Sequence, residues 1–296
     1  MPSRRAATLA GCAAIVLWAS LALLATATGD IPPFQTLATG FGFAATGGLA
    51  WLLRPGGPGV AALAQPPAAA ALTIVAFFGY HGLYFIALKR APVVEASLVN
   101  YLWPLLIVVF AAAAGGTRVR PAQWAGTALG FAAAVLVVTR GAKPQLEPAH
   151  AAGYLAALGA ALVWALYSVL NRRYAAVPSS AVVVACAATC VLGALAHAAL
   201  ETWVRPTAGQ WLALGALGLG PTGIAFWLWD LGTKRGDLAT LGTLSYAAPL
   251  LSTGLLLASG RAQPHWTQAA AVALLLAGAW LALRGAPRSA EHAPAQ

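Results

Sequence analysis

Charged side chains are scarce in this sequence. Only 8% of the 296 residues are Asp, Glu, Lys or Arg, and Asp and Glu together number 7. Ordinary soluble domains carry about 25% charged residues. Hydrophobic residues make up 60% of the chain. Because so few charged side chains cannot cover a soluble surface, the composition excludes a soluble globular protein and indicates an integral membrane protein.

Cysteines and catalytic motifs are equally sparse. Cys186 and Cys190 are one helical turn apart, but no His or carboxylate lies near them, and Cys12 is isolated. The cysteines therefore predict neither a metal site nor a disulfide. The sequence also has no HExxH pair, no Walker glycine loop and no GxSxG elbow. We expect no metal, no cofactor and no catalytic residue.

Long apolar runs are abundant instead. Ten of them have the length of about 20 residues that a helix needs to cross a bilayer. They predict an all-α integral membrane fold in which ten transmembrane helices cross the lipid bilayer. The predicted spans are Ala6–Thr26, Pro33–Leu53, Ala68–Leu88, Pro92–Ala114, Val119–Thr139, Gly153–Arg173, Ser179–Leu200, Gln210–Leu231, Leu238–Ser259 and Pro264–Arg284.

One pattern occurs twice in the chain, at an offset of 145 residues. Lys89, Tyr101 and Pro104 recur as Lys234, Tyr246 and Pro249. Trp18 in the first span matches Trp164 in the sixth at nearly the same offset. The chain is therefore predicted to be a fused duplication, with five helices in residues 1–145 and five in residues 146–296. The second half ends in a short polar C-terminal tail.

The net charge of +10 would suggest nucleic acid as a partner only if its distribution were ignored. With the N-terminus in the cytoplasm, 11 of the 17 Lys and Arg residues are predicted on the cytoplasmic side, which satisfies the positive-inside rule with both termini cytoplasmic. Five spans per half is an odd number, so the second half must be inverted relative to the first. The predicted cytoplasmic cations are Arg4, Arg5, Arg54, Arg118, Arg120, Arg172, Arg173, Lys234, Arg235, Arg284 and Arg288.

Several aromatic residues lie deep in the predicted spans rather than at the interfaces where Trp and Tyr usually collect. A cavity lined by such rings could stack a flat ligand or hold an ammonium group by cation–π attraction. The alternative is that the rings only fill helix interfaces, with His81 as a hydrogen-bonded packing residue. The predicted substrate-binding residues are Trp18, Tyr80, His81, Tyr84, Asn100, Tyr101, Trp103, Trp164, Trp227, Ser245 and Tyr246.

Three prolines interrupt the predicted spans. Pro104 and Pro249 lack the amide that would bond the carbonyls of Asn100 and Ser245. Pro221 lies in a glycine-rich break of the eighth span. We interpret all three as hinges, and static kinks are the alternative.

Two acidic residues lie nearest the predicted membrane interior. Glu95 and Asp230 are each within a turn or two of a predicted helix end. Either could bind and release a proton or an ion, or could be solvated at the helix end.

With its five-plus-five spans, a Trp in the first span of each half and a Tyr and Pro in the fourth, the chain resembles the EamA-type branch of the drug/metabolite transporter superfamily. The Tyr80-His81, Tyr84 and Asn100–Pro104 stretches resemble those of YddG-type aromatic amino acid exporters of bacterial inner membranes. This resemblance implies export of aromatic and other neutral amino acids by alternating access through a central cavity. The small multidrug members carry a glutamate in their first helix, whereas Ala6–Thr26 has no carboxylate, which argues against obligate proton antiport by that mechanism.

Two alternatives remain open at this point. The chain could carry another metabolite or a cationic drug, or it could be a membrane-embedded enzyme acting on a lipid-linked substrate, for which the sequence offers few polar groups. The composition does not distinguish a monomer from a homodimer, because Ala- and Gly-rich helices pack closely in either state.

Overall fold

The structure is a computed structural model that describes residues 2–114 and 119–285, and every regular element within those ranges is helical. Nine helical segments of this part are long and apolar enough to cross a membrane. They are α1 (Arg4–Thr28), α2 (Pro33–Leu53), α3 (Pro67–Arg90), α4 (Val93–Ala113), α5 (Pro121–Thr139), α6 (Pro148–Tyr174), α7 (Ser179–Leu200), α8 (Ala208–Arg235) and α9 (Leu238–Ala258).

A last helix, α10, covers Trp266–Gly285. Its apolar stretch, Trp266–Ala282, is shorter than the other nine. Each predicted run coincides with one of these helices, so the prediction of an all-α membrane protein is confirmed. Arg118, Arg288 and the C-terminal tail from residue 286 onward, which entered the topology prediction, lie outside the described residues.

The helix ends follow from local sequence. Pro33, Pro67 and Pro121 each occupy the first turn of a helix, where a missing amide costs nothing. At the start of α8, Thr207 and Gln210 form a reciprocal capping box. The α1 helix ends at Gly29, whose φ of 62° is accessible mainly to glycine. These local signals set where the helices begin and end.

Two helices contain a π-helical turn at equivalent positions. These turns are Val75–Gly79 in α3 and Gly220–Ile224 in α8, 145 residues apart as in the sequence repeat. In α8 the cause is Pro221, which cannot donate to the Leu217 carbonyl, and the Thr222 hydroxyl donates to that carbonyl instead at 3.0 Å. The α4 and α9 helices are also broken, at Tyr101-Leu102 and Ser245-Tyr246.

The helices pack in related pairs. The first part of α1, Arg4–Ala19, packs along Ala225–Arg235 of α8, and α6 packs along Tyr80–Arg90 of α3. The α1–α8 contact is close because two glycines meet: a Cβ on Gly232 would lie 2.8 Å from the Gly11 Cα. Small residues of this kind let membrane helices approach backbone to backbone. The α2–α7 and α5–α10 pairs flank this centre.

Candidate functional site

An aromatic cluster occupies the centre of the helical bundle. The Trp18 ring on α1 lies 5.7 Å from Trp164 on α6, 6.4 Å from Trp103 on α4 and 5.0 Å from Trp229 on α8, measured between ring centroids. The Trp18 Nε1 donates to the Pro221 carbonyl at 3.0 Å. All four indoles are buried. Their rings therefore fill the space between the helices, as the packing alternative predicted for some of them, and they join α1 to the π-helical turn of α8.

A second group of polar and aromatic side chains adjoins the cluster. Tyr80 lies 5.4 Å from Trp164 and stacks on Tyr84 at 6.1 Å with an interplanar angle of 17°. Asn100 Nδ2 donates to the Tyr80 hydroxyl at 3.1 Å. The hydroxyls of Tyr84 and Ser97 are 3.1 Å apart. This group leads from the buried indoles of the bundle centre to an open cleft.

The cleft has a volume of about 310 Å³ and lies between α1, α3, α4, α5, α9 and α10. Three of the predicted residues, Tyr84, Tyr101 and Pro249, line it. The remaining lining residues are apolar or carry hydroxyl, amide or guanidinium groups, and Arg140 is the charged one. They are Ala22, Ser97, Val137, Val138, Arg140, Ser252, Thr253, Leu256, Ala262, Thr267 and Gln268. The volume and this mixed lining suit a small amphipathic molecule.

A larger depression of about 430 Å³ runs along α5. It is lined by one helix and the turn that follows it, largely by apolar side chains from Phe131 to Ala142. With few polar groups and no second helix, it is a less convincing site than the cleft.

His81 does not line the cleft. Its Nδ1 donates to the Phe77 carbonyl at 2.6 Å, one turn earlier on the same helix. Its ring lies edge-on to Phe41 at 5.4 Å and 6.2 Å from Phe226. The structure thus places His81 as a hydrogen-bonded packing residue against α2 and α8, which was the alternative interpretation of this residue.

Trp227 lies away from the aromatic cluster, contrary to its predicted position. Its side chain is 38% exposed and its ring packs 6.3 Å from Trp51 on the outer surface. The neighbouring Phe226 and Trp229 face inward instead. The sequence pattern placed Trp227 deep in the span, whereas the structure places Trp229 there.

Ser245 and Tyr246 also lie outside the cleft. The Ser245 hydroxyl is fully buried and donates to the Leu241 carbonyl at 2.7 Å. Tyr246 is fully buried 6.0 Å from Phe131, and a Cβ on Gly130 would touch its ring. Both residues therefore face α5 or their own helix, and the prediction that they line the cavity is not matched by their positions.

The three prolines lie at the helix breaks. Pro104 and Pro249 are buried a few residues after the breaks of α4 and α9. The Ser245 carbonyl that Pro249 leaves free accepts from the Ala248 amide at 3.1 Å. Pro221 lies within the π-helical turn of α8. Each predicted hinge thus coincides with a departure from regular α-helix.

A buried polar network surrounds Asp230, which the sequence placed near a helix end. The Asp230 carboxylate is 1% exposed, pairs with Lys234 Nζ at 2.8 Å and accepts from Asn171 Nδ2 at 2.9 Å. The Tyr167 hydroxyl lies 3.5 Å from the same carboxylate. Asp230 is therefore not solvated at a helix end. The available signal was the Asp-to-Lys spacing of four residues on one helix.

At the end of the molecule opposite the cleft, polar contacts join α1 and α6 to the start of α9. Arg4 Nη2 of α1 pairs with Asp237 Oδ2 at the start of α9, at 2.7 Å. The Asp237 amide donates to the Thr8 hydroxyl at 3.0 Å, and Arg172 Nη2 of α6 donates to the Gly236 carbonyl at 3.2 Å. Because Ala22 and Ser252 in the cleft lie toward the other ends of α1 and α9, the molecule is open at one end and closed at the other.

Comparison with known proteins gives matches that each cover two thirds of the chain or more. The model of the EamA-like transporter family matches twice, at residues 5–139 and 151–284. The aromatic amino acid exporter YddG of Ancylobacter novellus is 48% identical over 281 residues, covering 95% of this chain and 98% of that protein. Protein RarD of Streptomyces exfoliatus is 31% identical over 219 residues, which cover 70% of this chain and 66% of that protein.

The aromatic amino acid exporter YddG of Salmonella typhimurium is 25% identical over 214 residues, covering 67% of this chain and 70% of that protein. Among solved structures, the crystal structure of a protein 48% identical to this chain superposes with a TM-score of 0.89. It covers 95% of this chain and 98% of that protein.

Proposed function

The chain belongs to the EamA-like transporter family, and we propose that it exports aromatic and other neutral amino acids across the bacterial inner membrane through the cleft that Tyr84 and Tyr101 line. The observation that carries this proposal is the 48% identity to an aromatic amino acid exporter over 95% of the chain. The protein is a multi-pass membrane protein, with nine helices able to span among the described residues.

We infer a ten-span topology built as an inverted five-plus-five repeat, with both termini in the cytoplasm. The two family matches, at residues 5–139 and 151–284, support two repeats corresponding to residues 1–145 and 146–296. The π-helical turns 145 residues apart support the same division. In this topology α10 completes the second repeat, and the excess of Lys and Arg lies on the cytoplasmic side.

In this orientation the closed end faces the cytoplasm and the cleft faces outward. Alternating access then requires the Arg4–Asp237 contact to open while the cleft closes. The breaks at Pro104, Pro221 and Pro249 supply positions where α4, α8 and α9 can bend. Substrate enters from the cytoplasm beside Trp18 and leaves past the stacked Tyr80 and Tyr84.

The stacked tyrosines account for the preference for aromatic substrates. Their rings offer faces for offset stacking with a substrate ring or for cation–π attraction to its ammonium group, which contributes roughly 0.5–2 kcal/mol per contact. No bond of the substrate is made or broken in this process, so the protein acts as a carrier rather than as an enzyme.

Flux measurements in proteoliposomes test this function. Labelled phenylalanine, tryptophan and threonine are supplied to wild type and to Tyr84→Ala and Tyr101→Ala variants. We expect saturable phenylalanine flux that unlabelled tryptophan inhibits, with a higher KM in both variants. Trp227→Ala is the control, because Trp227 lies on the outer surface. Absence of flux for all three amino acids from folded protein would contradict the proposal.

A further inference from the structure

We propose that Arg140, at the rim of the cleft, binds the carboxylate of the transported amino acid and makes the site selective for substrates that carry one. This inference rests on the proposed export function. It concerns the end of the substrate that the stacked tyrosines do not recognise.

Arg140 is the charged residue of the cleft lining, and no carboxylate lines the cleft with it. Its side chain is exposed, and its guanidinium has no hydrogen bond or ion pair with any residue in the described ranges 2–114 and 119–285. By contrast, Arg4 on α1 pairs with Asp237, and Arg261, in the connection between α9 and α10, donates to Thr26. Arg140 therefore presents an uncompensated positive charge and unused donors to an anionic group entering the cleft.

The backbone fixes Arg140 at this position. It is the C-cap of α5, with φ 52° and ψ 32°. Among the residues that the structure describes, it is the one non-glycine residue with a positive φ. Side chains bearing a Cβ disfavour this conformation. The turn is held by Thr139, whose hydroxyl accepts from the Gly141 amide at 3.1 Å and whose carbonyl accepts from the Ala142 amide at 3.0 Å. An arginine kept in an unfavourable backbone conformation beside a cleft suggests a functional constraint.

The chemistry of the surrounding lining suits one end of a zwitterion. A guanidinium offers two parallel donors that match the two oxygens of a carboxylate. The Ser252 hydroxyl and the Gln268 side-chain NH₂ group lie in the same lining and can donate to the oxygens of this carboxylate. Deeper in the bundle, the Oδ1 of Asn100 is buried without a hydrogen-bond partner among the described residues, so an acceptor lies beside the stacked tyrosines. The substrate is thus oriented with its carboxylate toward Arg140 and its ammonium group and ring toward Tyr84.

The test compares two ligands that differ at this end alone. Phenylalanine has a carboxylate, whereas phenylalaninamide does not. Each is used unlabelled to inhibit labelled phenylalanine flux in proteoliposomes containing full-length wild type, Arg140→Gln, Arg140→Lys or the control Lys143→Gln. Lys143 is an exposed cation three residues away that does not line the cleft.

We expect wild type to bind phenylalanine roughly tenfold more tightly than phenylalaninamide, the effect of one charge-assisted contact. Arg140→Gln should weaken the binding of phenylalanine by about the same factor and leave the binding of phenylalaninamide unchanged. The affinity of Arg140→Lys for phenylalanine should lie between those of wild type and Arg140→Gln. The affinity of Lys143→Gln should match that of wild type.

Two results would overturn the assignment while leaving the export function intact. Equal weakening of both ligands in Arg140→Gln would show that Arg140 only shapes the cleft. An unchanged affinity for phenylalanine in that variant would show that the carboxylate is bound elsewhere. Absence of phenylalanine flux in wild type would instead reject the export function on which the assignment rests. Each variant should elute as a single species in detergent, which excludes misfolding as the cause of weaker binding. Partial recovery of phenylalanine binding in Arg140→Lys, which keeps the positive charge, would further support a binding defect.

Discussion

Asp230 and Lys234 form an ion pair with 2.8 Å between Oδ2 and Nζ, one turn apart on α8, and both side chains are almost completely buried. The Lys234 ammonium also donates to the Val177 carbonyl, and the Asp230 carboxylate accepts from Asn171. The pair therefore connects α8 to α6 and to the segment that leads into α7. Two opposite charges, each also hydrogen-bonded to a neutral group, can persist in a low-dielectric interior only while both are present.

Removing one member of this pair should destabilise the protein strongly. In Asp230→Asn the Lys234 charge stays buried without its counter-ion, and breaking a buried pair in this way costs about 3–5 kcal/mol. We expect a clear fall in the thermal unfolding midpoint in detergent. The double variant Asp230→Asn/Lys234→Met removes both charges and should recover much of the loss. A single variant as stable as wild type would show that the pair contributes little to the fold.

The close approach of α1 and α8 gives a second prediction about stability. A Cβ on Gly232 would lie 2.8 Å from the Gly11 Cα and 3.1 Å from its nitrogen, so Gly232→Ala must push the helices apart. Overpacking of this kind costs about 1–3 kcal/mol, and we expect a lower unfolding midpoint together with slower transport. Gly254→Ala is the matched control, because a Cβ on Gly254 would meet nothing within 4 Å. Equal unfolding midpoints and transport rates in Gly232→Ala and Gly254→Ala would contradict the close contact between α1 and α8.

The closed end can be tested through the Arg4–Asp237 ion pair. Arg4→Gln removes the pair but keeps the Asp237 side chain, which also accepts from the Thr240 amide at 3.0 Å. An ion pair of this partly exposed kind contributes about 0–1 kcal/mol, so opening should become up to about fivefold more frequent. We expect faster maleimide labelling of Cys12 on α1, measured with Cys186 and Cys190 replaced by Ala.

Arg5→Gln serves as the control for that labelling experiment. Arg5 is the adjacent residue and its side chain is exposed, so its loss changes the local charge equally without breaking the Arg4–Asp237 contact. Equal labelling rates in Arg4→Gln and wild type would show that this ion pair does not hold the end closed.

The sequence predicted the helices well because their determinants are local. Apolar run length fixed the positions of α2 and α9 closely, as Pro33–Leu53 and Leu238–Ser259 compare with the observed Pro33–Leu53 and Leu238–Ala258. Proline and glycine at the helix ends supply the stop and start signals within a few residues of each boundary. The repeat of Tyr101 and Pro104 as Tyr246 and Pro249 likewise indicated which helices are broken.

The direction of individual side chains was harder to predict. The π-helical turn Gly220–Ile224 adds one residue to a turn of α8 and so rotates the following side chains by about 100°. Trp227 consequently faces outward, whereas Trp229 joins the aromatic cluster. The partners of Asp230 were similarly hidden, because Asn171 and Tyr167 are about 60 residues away in sequence. Such contacts depend on helix packing rather than on any local pattern.

Trp18 offers a test of whether the aromatic cluster controls the π-helical turn of α8. Its Nε1 donates to the Pro221 carbonyl at 3.0 Å in a buried environment, so Trp18→Phe keeps an aromatic ring but leaves that carbonyl without this donor. Loss of a partner for a buried acceptor costs about 1–3 kcal/mol. If bending at the turn limits the transport cycle, the maximal rate of phenylalanine flux should change more than its KM, since Trp18 does not line the cleft. Trp227→Phe, a change of the same chemistry on the outer surface, should leave both parameters near wild type. A rise in KM alone in Trp18→Phe would place the indole in direct contact with the substrate instead.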